Sequence, residues 1–187
     1  MSALLTVGYG NREPEELLRL LLGNHCQYLI DVRSSPYSQF YAVYNKESLE
    51  AICKSAGFQY VFMGDQLGGR PQSGECYDAM GHVDYERLSQ ESYFKYGIKR
   101  LKTAIEKNLN VVLLCSELNP EHCHRCKLIG QALVKANIAV QHIDADGSIV
   151  PHDVVIGRIL GGEQDLFGSY PQLTRSRGSY QKKDPHD

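Results

Sequence analysis

Residues Asn110 to Leu133 read "NVVLLCSELNPEHCHRCKLIGQAL", and this segment sets the expected fold class. Its first part, Val111 to Cys115, is almost continuously apolar, as is typical of a strand covered on both faces of a sheet. Its second part has a candidate N-cap, Asn119, followed by Pro120 and by apolar residues at helical spacing. A buried strand followed at once by a helix is the basic unit of a parallel α/β sheet.

The same unit recurs on both sides of this segment. Apolar runs predict strands at 3–7, 27–32, 58–63, 111–115 and 139–143. Helical spacing predicts helices at 13–23, 47–57, 83–108, 119–137 and 154–162, the third of them broken near Gly97. This alternation predicts an α/β fold with a mostly parallel sheet of about five strands and helices on both faces. We expect one domain over residues 1–162 and a polar, flexible tail over 163–187.

Composition limits the classes of function. The chain has 187 residues, 42% of them hydrophobic, and a formal net charge of -2. No overall positive field therefore points to nucleic acid or to an anionic membrane. Neither a secretory signal pattern nor an apolar run long enough for a membrane span is present, so we expect a cytoplasmic protein without a membrane partner.

The six cysteines are scattered rather than arranged as a disulfide framework, which favours a reducing compartment. Cys26 and Cys53 are expected to be buried apolar residues. The basic residues near the C-terminus, Arg175, Arg177, Lys182 and Lys183, are expected to be solvated, with a weak electrostatic contact to nucleic acid as the alternative.

Polar residues follow four of the predicted strands, at the edge where ligands bind in open parallel sheets. They are Gly8, Tyr9, Gly10 and Asn11, then Asp31, Arg33, Ser34 and Ser35, then Leu67, Gly68, Gly69 and Arg70, and finally Cys115 and Glu117.

Each of these groups has a functional and a purely structural interpretation. The turn "GYGN" could bind an anion through its amides, but it lacks the full G-x-G-x-x-G pattern and could serve only as a turn. Asp31 and Arg33 are either an acid/base beside an anion clamp or a structural ion pair. Arg70 is either an anion clamp or a solvated side chain.

A metal site is the alternative use of the cysteine-rich segment, with Cys115, Cys123, Cys126 and His122 as its ligands. No second ligand pair of the usual zinc-knuckle type is present. A helix that begins at the Asn119-Pro120 cap would also point Cys123 away from the core, whereas Cys115 lies on the sheet side. The preferred prediction is therefore that no cofactor is bound.

Two residues of this segment suit an anion site. Arg125 falls on the core-facing side of the predicted helix, so its buried guanidinium needs a partner, and Asp31 or Glu117 could supply it. Cys115 lies at a strand end near a helix N-terminus and arginines, where a thiolate is stabilised, although buried cysteine often serves only to fill the core.

Four segments in order, "TVGYGNREPEELLRLL", "LIDVRSSPYS", "YNKESLEAICKSAGFQYVFMGDQLGGRP" and "VVLLCSELNPEHCHRCKLIGQAL", resemble a bacterial and archaeal family described as domain of unknown function 488. The similarity extends from about Thr6 to His152. The resemblance implies a Rossmann-like three-layer α/β/α domain and no established reaction.

The resemblance also singles out a set of positions. They are Gly8, Asp31, Val32, Arg33, Pro36, Asn45, Lys46, Leu67, Gly68, Cys115, Glu117, Cys123, His124 and Arg125. Two features depart from the family pattern. Many relatives have His-Ser where this chain has Tyr9 and Gly10, and Cys126 lies outside the usual "CHR" motif.

The sequence thus predicts an enzyme that hydrolyses, or transfers a group from, an anionic nucleotide-like or nucleic-acid substrate. The expected catalytic residues are Asp31, Arg33, Cys115, Glu117 and Arg125. The expected substrate-binding residues are Gly8, Tyr9, Asn11, Lys46, Gly68, Arg70, Cys123 and His124. The alternatives are a non-catalytic nucleotide or nucleic-acid sensor and a cysteine-based metal or redox protein.

Overall fold

The computed structural model describes residues 3–38, 40–161 and 171–180. Its strands are β1 (Leu4–Gly8), β2 (Tyr28–Asp31), β3 (Gln59–Phe62), β4 (His82–Asp84), β5 (Val111–Cys115), β6 (Val140–Ile143), β7 (Ile149–Pro151) and β8 (Arg175–Ser179). Its α-helices are α1 (Pro14–Gly23), α2 (Lys46–Ala56), α3 (Gly64–Leu67), α4 (Tyr85–Gln90), α5 (Ser92–Glu106), α6 (Gln131–Lys135), α7 (His152–Leu160) and α8 (Pro171–Thr174). None of the described helices is both long and apolar enough to cross a bilayer.

Six strands form the central sheet in the order β3-β2-β5-β1-β6-β7. The first five are parallel, which confirms the sheet predicted from the alternation of strands and helices. The sixth, β7, pairs antiparallel with β6 as a hairpin and was not predicted. It is only three residues long and partly exposed, so it has no apolar run that would mark it in the sequence.

Alternating side chains of the buried strands face two separate cores. On β5, Val111, Leu113 and Cys115 pack in the core that contains α5 and α6, whereas Val112 and Leu114 pack in the core that contains α1 and α2. This is the period-two alternation of a strand, here apolar on both sides. The result is the predicted three-layer α/β/α arrangement.

The break in the long helical region lies at Glu91, between α4 and α5, and not near Gly97. Gly97 is buried inside α5, where an added Cβ would lie 2.7 Å from Cδ2 of Leu67 in α3. The glycine therefore allows two helices to pack closely, which a sequence pattern cannot distinguish from a helix break.

The helix after β5 begins later than its Asn119-Pro120 cap predicts. Residues Pro120–His122 form only a short 3₁₀ turn, and Cys123 has an extended backbone. The helix proper starts with a π-helical turn at Arg125–Gly130 and continues as α6. Cys123 therefore lies before the helix instead of on its outer face.

Part of the segment predicted as a tail is folded. Residues 171–180 form α8 and β8, and β8 pairs antiparallel with β4 in a second, two-stranded sheet. The rest of that segment, 162–170 and 181–187, lies outside the described residues.

Candidate functional site

Three adjacent strands of the central sheet end at one place. In the parallel register, Gly8 at the end of β1 is the neighbour of Cys115 at the end of β5, and Asp31 at the end of β2 is the neighbour of Leu114. The segments that follow these strands therefore start side by side, as the carboxyl-edge rule for open sheets predicts.

Four polar side chains meet beyond the end of β5. The Oε2 atom of Glu117 lies 3.0 Å from Sγ of Cys115 and 3.1 Å from Sγ of Cys123. The Nδ1 atom of His124 lies 3.6 Å from Sγ of Cys115 and 3.9 Å from Sγ of Cys123. Cys115, Cys123 and His124 are buried, whereas Glu117 is half-buried. We call Cys115, Glu117, Cys123 and His124 the thiol cluster.

The late start of the helix is what assembles this cluster. The extended residue Cys123 turns its side chain into the core, where it is fully buried, and His124 follows at the N-cap. The prediction that Cys123 points away from the core was wrong, because it assumed that the helix starts at Asn119. No local signal distinguished the short 3₁₀ turn from a full helical start.

Contacts within the cluster shift the pKa values of its members. Burial opposes ionisation of Cys115, but the Cys123 thiol and the charge of His124 outweigh it and lower the pKa of Cys115 to about 6. Burial opposes the charge on His124 too, yet Cys115 and Glu117 raise the pKa of His124 to about 9. The pKa of Cys123 is raised, first by burial and then by Cys115. His124 and Cys123 thus favour loss of the Cys115 proton, whereas the contact with Oε2 of Glu117 favours the thiol form.

The second nitrogen of His124 fixes the orientation of the ring. Nε2 lies 3.0 Å from the carbonyl oxygen of Val32, to which it donates a hydrogen bond. Nδ1 is therefore the nitrogen that faces the two thiols. Gly69 packs against the same ring, where an added Cβ would lie 2.7 Å from Cγ of His124.

Asp31 is fully buried and is not among the residues that line the cavity of about 640 Å³ described below. Its oxygens accept hydrogen bonds from the backbone N–H of Arg33 (3.1 Å), from Nε of Arg33 (2.9 Å) and from the hydroxyl of Tyr60 (2.7 Å). Arg33 also forms an ion pair with Asp31. Burial opposes the charge on Arg33, but Asp31 more than compensates and raises its pKa. The two side chains therefore form the ion pair that one of the two sequence-based interpretations requires.

Arg125 lies beneath the site and not in it. It is fully buried, and its Nη1 and Nη2 atoms donate to the backbone carbonyls of Glu117 and Leu118. Among the described residues it forms no ion pair with a carboxylate, so the prediction that the side chain of Asp31 or Glu117 is its partner was wrong. Gly8 lacks a Cβ at the point where the Glu117 carbonyl and this guanidinium approach β1, so it leaves the space that they occupy.

A cavity of about 640 Å³ opens above the thiol cluster. Of the predicted site residues, it is lined by Tyr9, Arg33, Arg70, Cys115, Glu117 and His124. Residues that the predicted site did not include also line it, among them Ser34, Ser35, Tyr85, Ser116, Arg177 and Tyr180. A larger cavity of about 820 Å³ lies between α4, α5 and α6, away from this cluster.

Other predicted binding residues lie outside the cavity. Asn11 is exposed, and Nζ of Lys46 lies 5.4 Å from the ring centre of Phe62. Gly68 is buried against Ser34, and a Cβ added to Gly68 would lie 2.4 Å from Oγ of Ser34. Cys123 lies beneath the cavity, within the thiol cluster.

The predicted alternative metal set does not assemble. Cys126 is buried in a second cluster with His142 and His152, and His122 lies on the cavity wall. In this second cluster, Nε2 of His142 lies 2.9 Å from Nδ1 of His152, and Nδ1 of His142 lies 2.7 Å from Oγ1 of Thr6. Burial lowers the pKa of His142 to about 3, so this imidazole is neutral.

Arg177 and Tyr180 reach the cavity from the C-terminal segment, since β8 pairs with β4 at its rim. The guanidinium of Arg70 lies 4.1 Å from the ring centre of Tyr180. The only sequence signal for this contribution was the basic character of the segment, and that signal is equally typical of a solvated tail.

Comparison with curated proteins and with solved structures gave no match. One family matches residues 13–131, which is more than half of the chain. The matched range includes Asp31, Arg33 and the whole thiol cluster, whereas Gly8 and Tyr9 precede it. The match confirms the resemblance based on the four sequence segments: the chain belongs to the family described as domain of unknown function DUF488.

Proposed function

We propose that this protein is an enzyme that hydrolyses, or transfers a group from, an anionic nucleotide-like substrate at the carboxyl edge of its sheet. The observation that carries the proposal is one cavity that joins three arginines to the thiol cluster. Groups that bind negative charge and groups that can attack or exchange protons are thereby exposed to the same ligand.

The anion-binding side of the cavity centres on Arg33. This side chain is only 4% exposed, and its Nη1 atom has no hydrogen-bond partner among the described residues. A buried unpaired donor costs about 1–3 kcal/mol, which a phosphate or carboxylate oxygen in the cavity would recover. Arg70 and Arg177 line the same cavity and add positive charge.

Aromatic rings beside these arginines favour a planar group next to the anion. Tyr9 lines the cavity and stacks on Tyr44, with ring centres 4.2 Å apart, while Tyr180 stacks under Arg70. Tyrosine rings and guanidinium planes are the surfaces on which nucleobases stack. A nucleotide uses both features, which is why it is preferred to a simple carboxylate or a sugar phosphate.

The reactive side of the cavity is the thiol cluster. Cys115, Glu117 and His124 line it directly, and the orientation of His124 is fixed by the Val32 carbonyl. We assign proton transfer or nucleophile activation to this cluster, since thiol, imidazole and carboxylate groups in contact are the usual groups for that chemistry.

Asp31 holds Arg33 in place and Arg125 holds the backbone of the 117–118 loop, so both are positioning residues.

The test combines binding with turnover. Calorimetric titration with AMP, inorganic phosphate and adenosine should give the strongest binding for AMP, and Arg33→Gln should weaken it more than the exposed control Arg19→Gln. Chromatography of nucleotides incubated with the protein should show product, which is lost in Cys115→Ser and kept in Cys26→Ser.

Two results would decide against the proposal. Equal affinities for AMP and adenosine would show that the phosphate contributes nothing to binding, and would therefore exclude the proposed anion site. Binding that depends on Arg33 but yields no product from mononucleotides or short oligonucleotides would favour the rival function, a non-catalytic sensor.

A further inference from the structure

The four donor atoms of the thiol cluster are arranged like the ligands of a metal ion. All of them lie within 4.8 Å of one another, and they come from three separate places: the end of β5, the loop after it and the start of the helix. Two thiols, one imidazole and one carboxylate are the ligand types that bind zinc.

The distances from His124 agree with a tetrahedron. Zinc–ligand bonds of about 2.0–2.3 Å place neighbouring ligand atoms of a tetrahedron about 3.3–3.8 Å apart. The two distances between Nδ1 of His124 and the cysteine sulfurs are 3.6 and 3.9 Å. Oε2 of Glu117 lies closer to the sulfurs, at 3.0 and 3.1 Å, so it would have to move outwards to act as a metal ligand.

Two contacts outside the cluster are those expected around a bound metal. Nε2 of His124 is held by the Val32 carbonyl, which directs Nδ1 to the ligand position. The backbone N–H of Arg125 donates to Sγ of Cys123 at 3.4 Å, a contact that favours a thiolate. Both groups would orient and stabilise the ligands in the form that zinc requires.

Charge gives an independent argument. Two thiols and a carboxylate face each other in a largely buried space, and a single imidazole is the only basic member of the cluster. Negative charge on these groups is costly at such short distances unless a cation lies between them. A divalent ion at the centre would replace the two protons held among the thiols and Nδ1 of His124 and would contact all four side chains.

We propose that Cys115, Glu117, Cys123 and His124 bind one zinc ion, with Glu117 as the ligand that yields to substrate or water. Glu117 takes this role because it is the one member of the cluster that is not buried, and it lines the cavity. Two cysteines and one histidine with an exchangeable fourth position form a known type of catalytic zinc site. The inference rests on the proposed function only for this catalytic role, since zinc binding can be tested without any substrate.

The experiment measures metal in the full-length protein. After incubation with zinc and gel filtration, elemental analysis should find one zinc ion per chain in the wild type and in Cys126→Ser, and strongly reduced zinc in Cys123→Ser and Cys115→Ser. Cys126→Ser is a matched control because Cys126 is equally buried but belongs to the second cluster. Loss of zinc from Cys126→Ser with retention in Cys123→Ser would place the metal elsewhere and overturn the proposal.

Cobalt provides a second measurement on the unmutated chain, in case a variant fails to fold. Cobalt added to metal-free protein should give the intense visible absorption of a tetrahedral ion together with a sulfur-to-metal charge-transfer band. Absence of both, or wild-type protein that retains no zinc, would overturn the inference. Glu117→Gln should keep zinc, and its loss there would show that Glu117 is an obligatory ligand and not an exchangeable one.

These results are independent of turnover. Stoichiometric zinc without any reaction on nucleotides would leave the metal site standing and count against the enzyme. Turnover in zinc-free protein would support the enzyme and count against a catalytic role of the zinc ion.

Discussion

Asp31 and Arg33 are the clearest case at the scale of single residues. Two positions apart along the chain, they form a buried ion pair that Tyr60 completes with a hydrogen bond. Since the carboxylate already accepts several hydrogen bonds and is fully buried, it is poorly placed to exchange protons with a ligand. In the proposed function Asp31 acts through Arg33, with which it pairs.

Asp31→Asn should destabilise the fold and weaken anion binding, because it leaves the buried guanidinium of Arg33 without its charge partner. Loss of one partner from a buried pair costs about 3–5 kcal/mol in the free energy of unfolding. Tyr60→Phe is the control, since it removes one hydrogen bond of about 1 kcal/mol and keeps the ion pair. Urea denaturation of both variants measures the difference.

A different result would restore the role predicted from the sequence. If Asp31→Asn keeps its stability and its affinity for AMP but loses turnover, Asp31 is an acid/base and not a positioning residue.

At the scale of elements, the contact between β1 and the loop after β5 determines whether the thiol cluster forms. Gly8 leaves room for the carbonyl of Glu117, and Arg125 binds that carbonyl from below. The loop is therefore held by backbone contacts, and its position depends on a missing side chain. These contacts also set the position of the Glu117 side chain. Its backbone is held where its carboxylate can reach the two sulfurs.

Gly8→Ala should displace this loop, because the new Cβ would overlap with the backbone of Glu117. We expect a loss of about 1–3 kcal/mol in the free energy of unfolding, as in other overpacked sites, together with weaker zinc binding. Gly23→Ala is the control, since nothing lies within 4 Å of the position of its Cβ. Thermal denaturation and metal analysis of the two variants test this; equal stability and equal zinc content would refute it.

At the scale of the whole molecule, the cavity is built from both ends of the chain. Tyr9 follows the first strand, whereas Arg177 and Tyr180 come from the C-terminal segment through the pairing of β8 with β4. The segment that composition marked as a tail therefore supplies part of the cavity wall. It supplies one of the three arginines that line the cavity.

Arg177→Gln should reduce the affinity for AMP and the dependence of that affinity on salt, because it removes one positive charge from the cavity wall. Arg175→Gln is the matched control on the same strand, since Arg175 instead lies 3.6 Å from Asp78. Calorimetric titration at two salt concentrations measures both effects. Equal affinities of the two variants for AMP would mean that β8 forms part of the cavity wall without contributing charge to binding.

The sequence by itself determined the fold class, the parallel strands and the edge of the sheet at which polar residues collect. These features depend on apolar periodicity and on the position of residues after strands, both of which are local properties. The sequence also singled out Arg33, Cys115, Glu117 and His124, all of which line the cavity.

Only the tertiary structure decided which of these residues meet. The late start of the helix brings Cys123 to Cys115, the lack of a Cβ at Gly8 admits the 117–118 loop, and the pairing of β8 with β4 brings Arg177 to the cavity. Each of these depends on contacts between residues far apart in the chain. Local sequence patterns carry no information on such contacts, because the energy that favours one helix start or one strand partner comes from the packing around it.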